Sequence, residues 1–175
     1  MGYTTDFYGS VSVSPPLNEH EISYLRDFAE TRRMHRTNGP FFVKGEGDFG
    51  QGDGPDEILN YNDPPPGQPG LWCQWTPGPD GSYIEWDQGE KFYNSAEWMD
   101  YIIKEFLSPS GKASYKRKFE ADERFQHFTF DHVVNGEIEA RGEDPSDHWM
   151  LVVENNRVSV ASAVVTFDRS KAHTF

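Results

Sequence analysis

The sequence predicts an α+β domain: a mostly antiparallel sheet, two helices packed on one of its faces, and a β-meander at the carboxy-terminal end. Three observations predict it. Two stretches carry apolar residues at helical spacing, and each opens on an Asn followed three residues later by Glu. Several shorter runs alternate polar with apolar residues between turn signals. The order is β-α, a long connection, β-β-α, then β-β-β-β, which separates the helices from a run of hairpins.

The opening strand is DFYGSVSV, stopped by Pro15 and Pro16. A helix near 18–34 follows, with Asn18 as N-cap, Glu21 completing a capping box, and Leu17 and Ile22 closing a hydrophobic staple. Ile22, Leu25, Phe28 and Ala29 form its apolar face, and Arg32 and Arg33 fall in its last turn, where cations offset the helix dipole. Residues 37–70 are dense in Gly, Pro and Asp, and so long a connection in one domain is either functional or disordered.

Next come the strands LWCQWT and SYIEWD, joined through PGPDG. A second helix near 95–107 repeats the entry chemistry, with Asn94 as cap, Glu97 as its partner and Tyr93 and Trp98 as the staple, and ends at Pro109 and Gly111. In the last third, RFQHFTFDHVV and EIEAR are expected to meet at a type I′ turn on Asn135-Gly136, and HWMLVVE and RVSVASAVV at Asn155-Asn156.

At 175 residues the chain is read as a single domain, 1–175, able to bury about 70% of the surface its unfolded form exposes. Aromatic residues make up 15%, so the core rests heavily on rings. The formal charge of −13, from 29 acids against 16 bases, argues against general nucleic-acid binding, which requires Lys and Arg on phosphates. No apolar run reaches the length of a membrane span or a signal peptide, and one cysteine excludes an intrachain disulfide; the expectation is a cytoplasmic protein with no membrane partner.

Motifs for chemistry are weak. GEGDFG at 45–50 matches a dinucleotide fingerprint, but QGDGPDE after it is no helix, and Glu46 and Asp48 repel phosphate. The acids Glu46, Asp48, Asp53, Asp56 and Glu57 reproduce no EF-hand spacing and read as a solvated loop. The six histidines form no H-x-x-x-H or H-E-x-x-H pair, His127 and His132 would point to opposite faces of a strand, and Cys73 has neither a second cysteine nor a visible base. No metal site and no cofactor are expected.

Four of the five tryptophans, Trp72, Trp75, Trp86 and Trp98, lie in one stretch beside the long connection. The expected function is a non-enzymatic binding module that recognises a protein or small-molecule ligand through Trp72, Trp75 and Tyr61, with the 37–70 segment. Three alternatives stand beside it: a carboxylate- or metal-dependent hydrolase using Glu137 and Glu139, nucleotide capture between indoles and Arg32, Arg33 and Arg36, and an acidic mimic of nucleic acid.

The strings ETRRMHRTNGPFFV, QPGLWCQW, GEKFYNSAEWM and VNGEIEARGEDPSDHW resemble those of a family of small uncharacterised proteins encoded by actinobacteria and their phages. The resemblance covers nearly the whole chain. It implies a cytosolic accessory role, phage-encoded, and assigns no activity and no site residue.

Overall fold

Hydrophobic alternation in the first strand is realised as β1 (Thr5–Ser14) in the computed structural model, which describes residues 2–52, 58–164 and 166–174. Phe7, Val11 and Val13 turn inward from it, while Tyr8, Ser10 and Ser12 face solvent. After it come α1 (Glu19–Glu30) and a small ribbon of β2 (His35–Arg36) with β3 (Ile58–Asn60). Then follow β4 (Trp75–Pro77), β5 (Tyr83–Trp86), α2 (Ser95–Ile102), the short α3 (Lys112–Tyr115), β6 (Val133–Gly142), β7 (His148–Glu154) and β8 (Arg157–Ser162). The six strands of the main sheet lie in the order β4-β5-β1-β6-β7-β8, every neighbour antiparallel. This is the predicted α+β class with its carboxy-terminal meander.

One face of the sheet is buried. Val11, Ile84, Val134, Ile138, Leu151 and Val153 meet Leu25 and Phe28 of α1 and Trp98, Met99 and Ile102 of α2 in one core. Rings dominate it: Phe7 takes Trp75, Trp86, Phe92 and Trp149 edge-on at 5.4–6.0 Å, and Tyr24 does the same with Phe106, Phe125 and Phe128. Edge-to-face pairs of this kind each add about 0.5–1.5 kcal/mol beyond the area they bury.

The capping box of α1 forms as predicted. Asn18 accepts from the backbone N–H groups of His20 and Glu21, and Glu21 accepts from that of Asn18. The helix stops earlier than its sequence pattern suggests, because Thr31 turns its hydroxyl back to Asp27 and the next two N–H groups leave the helix ladder. Arg32 N–H donates to Phe49 O and Arg33 N–H to Leu71 O, so neither arginine caps the dipole.

Three local expectations are corrected. Asn135-Gly136 makes no turn; both residues lie inside β6, opposite Ser12 and Val11 of β1, and the ladder runs straight through them. The meander therefore has three strands, turning at Asn155-Asn156, whose φ values of 48° and 67° suit a hairpin turn. The second correction concerns 124–132, which is no strand: Phe125 ends a 3₁₀ turn at Glu123–Phe125, and Phe128 and Phe130 are buried from irregular backbone. His127 is exposed and stacks on His20 at 4.1 Å, while His132 is buried. Finally, Asn94 adopts a left-handed conformation and makes no side-chain cap for α2, because its amide donates to Pro69 O at 2.6 Å. Tyr93, placed in a staple from sequence, is 59% exposed.

The second helix also continues differently from a simple α-helix, passing into a π-helical turn at Ile103–Leu107 before Pro109. No helix among the described residues is long and apolar enough to cross a membrane.

Candidate functional site

The long connection is held by the three arginines that precede it. Arg32 Nη1 donates to Tyr61 O at 2.5 Å, Arg33 Nη2 to Pro40 O at 2.8 Å, and Arg36 Nη2 to Gly50 O. Arg33 also lies over the Phe28 ring at 4.1 Å, and Arg36 over Phe42 at 4.7 Å. Arg33 and Arg36 are buried, and burial lowers the Arg33 pKa to about 10, which still leaves it charged at neutral pH. A guanidinium carries five donors in a fixed fork, which suits it to gathering carbonyls of an irregular segment. The basic cluster thus serves the loop and is turned away from solvent at Arg33 and Arg36.

Trp75 is 2% exposed, its indole N–H donating to Ser95 O at 2.7 Å, so it belongs to the core between β4 and α2. Trp72 precedes the strand and is half-buried. Its ring meets Phe49 edge-on at 5.3 Å, and Phe49 is 59% exposed in a left-handed conformation, φ 56°. A bulky side chain in that region is strained, and such strain concentrates at ligand sites. Tyr61 is exposed nearby in sequence, one residue before Asn62.

Trp72 forms one wall of a cleft of about 540 Å³ with Asn62, Pro64, Pro69, Gly70, Leu71, Glu90, Lys91, Tyr93 and Asn94. The Trp72 and Tyr93 rings line it with Leu71 and two prolines, and the polar side chains of Asn62, Glu90, Lys91 and Asn94 share the lining. Sequence reasoning missed Tyr93, Asn94 and the prolines. Tyr93 carried a signal, an exposed ring beside a helix start, but the same position also fits a staple.

The structure brings Trp72 alone of the predicted binding residues into this cleft. Trp75, Tyr61 and the three arginines lie outside its lining. Cys73 is buried, and burial pushes its thiol up to about 12, so it stays protonated.

The predicted carboxylates Glu137 and Glu139 lie together on the open face of β6, with Arg141. Glu139 accepts from His148 Nε2 at 2.6 Å and from both Arg141 Nε and Nη2, and these two partners, His148 first, hold its pKa below the usual carboxylate range. A carboxyl so clamped stays ionised, which is the opposite of what a general acid needs. Two acids on this face stand opposite bases, Asp6 with Arg141 and Glu154 with Arg157, while Glu85 and Glu137 both stand opposite Ser10.

Glu46 and Asp48 sit at a single 3₁₀ turn, while Asp53, Asp56 and Glu57 lie outside the described residues. Among the described residues no three His, Cys, Asp or Glu side chains gather as a metal site. No protein-family model, no curated protein and no solved structure matches this chain.

Proposed function

We propose that this protein is a non-enzymatic binding module, a cytosolic accessory protein in the sense its family resemblance implies, whose ligand lies in the cleft between Trp72 and Tyr93. One observation carries the reading. The cleft falls within the roughly 300–1,000 Å³ of small-molecule sites, as other clefts of the molecule do, and two aromatic rings, Leu71 and two prolines line it beside polar side chains. A small ligand suits this concavity better than a flat protein surface would. Phe49, in a left-handed conformation, adds support, since it meets the Trp72 ring edge-on from outside the cleft's lining.

The test is a thermal-shift screen of small ring compounds on the wild-type protein and on Trp72→Ala. Compounds that raise the wild-type Tm are expected to lose most of that effect in the variant. A library that stabilises both proteins equally, or neither, would remove Trp72 from any binding role.

A further inference from the structure

The main sheet has a gap beside its first strand. Backbone groups alternate in direction along β1: Thr4 O accepts from Glu143 N–H toward the β6 side, and Val13 N–H donates to Ser82 O toward the β5 side. Phe7 lies an even number of residues from Val13, so its N–H and C=O also turn toward the β5 side. No strand of the described residues meets them there. The ladder with β5 runs only from Ser10 opposite Glu85 to Ser12 opposite Tyr83, and Phe7 lies beyond its end.

The chain after β5 leaves this place open because Asp87 N–H donates to Gln74 O at 3.0 Å and Gln88 takes a left-handed φ of 66°. A slot of about 540 Å³ remains, with Asp6, Phe7 and Tyr8 on one side and Glu85, Trp86 and Glu90 on the other. An open sheet edge takes an extended chain as a further strand, main-chain hydrogen bonds giving affinity and alternate side chains giving specificity. Here the lining selects those side chains. Three acids, Asp6, Glu85 and Glu90, line the slot, and among the described residues no base does. The nearby bases are engaged elsewhere: Arg141 lies over Tyr8 from the β6 side and is held by Glu139, and the Lys91 side chain lies against Gly2.

We propose that this slot docks an extended segment of a partner protein bearing Lys or Arg at alternate positions, added as a short strand beside residues 6–8 of β1. The residue opposite Phe7 exchanges both backbone hydrogen bonds with it and turns its side chain inward beside Phe7 and Trp86, so an apolar group suits that position. Its two neighbours point to the open face, one opposite Asp6 and the other opposite Tyr8 on the side of Glu85, where cations meet carboxylates across strands. The slot shares only Glu90 with the cleft beside Trp72 and stands independently of it.

Hydrogen exchange on the ¹⁵N-labelled full chain tests this. In the dilute free protein Phe7 N–H is expected to exchange faster than Tyr8 N–H, which turns to β6. The blocked peptide acetyl-Lys-Val-Lys-Val-Lys-amide should then slow Phe7 exchange at least tenfold, and less as salt is raised. The double variant Asp6→Asn and Glu85→Gln should bind it at least tenfold more weakly, its other amide signals unchanged. Methylating both valine nitrogens of the peptide removes the donors that pair with β1 and should abolish the protection. The proposal is overturned if the lysine peptide leaves Phe7 exchange unchanged, if its glutamate counterpart binds as well, or if the methylated peptide protects as fully. Slow Phe7 exchange in the dilute free chain would assign the slot to this chain's own residues, and protection that rises with protein concentration alone would assign it to a second copy; either result also overturns it.

Discussion

Glu21 and His132 form a buried pair that ties three segments together. His132 Nδ1 donates to Pro15 O at 2.7 Å, its Nε2 lies 3.1 Å from Glu21 Oε1, and Glu21 also accepts from Asn18 N–H and Thr129 N–H. Asp131 stands 3.9 Å from the same ring nitrogen. Burial alone would raise the Glu21 pKa, but hydrogen bonds from His132, Thr129 and Asn18 outweigh it and lower it. Burial alone would lower the His132 pKa, but Glu21 and Pro15 O outweigh it and raise it. A raised histidine pKa contributes stability that is complete below the unfolded value near 6.5 and is lost as pH rises through the folded value. A lowered glutamate pKa contributes stability present above about 4.5 and lost as pH falls through the folded value. The pair thus stabilises most between these two limits. Melting curves from pH 5 to pH 9 should show wild-type Tm declining above neutrality and Glu21→Gln starting lower with a flatter profile. Parallel profiles would show that the pair carries no proton linkage. Removing one member of a buried pair costs about 3 kcal/mol or more.

At the scale of elements, the turn between β7 and β8 is anchored to β6 and the segment before it by the side chains of Asn156 and Asn135. Asn156 Oδ1 accepts from Val134 N–H at 2.6 Å and its Nδ2 donates to His132 O at 2.9 Å. Asn135, far from making a turn of its own, accepts from Asn155 N–H through its side chain at 2.8 Å. Glycine suits a left-handed turn position better than asparagine, yet Asn156→Gly is expected to lower stability. Two hydrogen bonds of about 0.5–1.5 kcal/mol each are lost, and glycine adds unfolded-chain entropy of about 0.4–1 kcal/mol. A loss of about 1.4–4 kcal/mol in urea unfolding follows from those terms, reduced by what glycine gains in the left-handed conformation. Asn155→Gly, whose bond here uses the backbone N–H, should change much less. Equal effects at both positions would show that backbone conformation, and not the Asn156 amide, sets the stability of this turn.

For the whole molecule, which carries a formal charge of −13, the open sheet face mixes signs where Arg141 and Arg157 stand in register with acids, while Glu85 and Glu137 both stand opposite Ser10. The basic cluster at 32–36 is turned inward onto backbone carbonyls. Neither arrangement offers a row of free cations to phosphates. A duplex DNA is therefore expected to show no retardation by this protein even at about 50 mM salt, the regime where phosphate contacts are strongest. Salt-sensitive retardation would show a basic surface that the placement of these residues does not account for.

The sequence by itself determined both main helices and the capping box at Asn18, which rest on interactions within a few residues of chain; it also marked the turn at Asn155-Asn156 by residue type and the fold class by the order of elements. It also singled out Trp72, which lines a cleft, through aromatic density beside a long Gly- and Pro-rich segment. What tertiary structure decided is everything set by partners distant in sequence. Pairing with β1 carried Asn135-Gly136 through as strand, overriding a local turn preference. Pro69 O drew the Asn94 amide away from capping α2. Loop carbonyls drew Arg33 and Arg36 inward, and the core took Trp75 while leaving Trp72 at the cleft, although the two indoles stand three residues apart. Local spacing fixes which way a side chain leaves the backbone; whether it then meets solvent, a carbonyl or a ring depends on chain that folds over it from elsewhere.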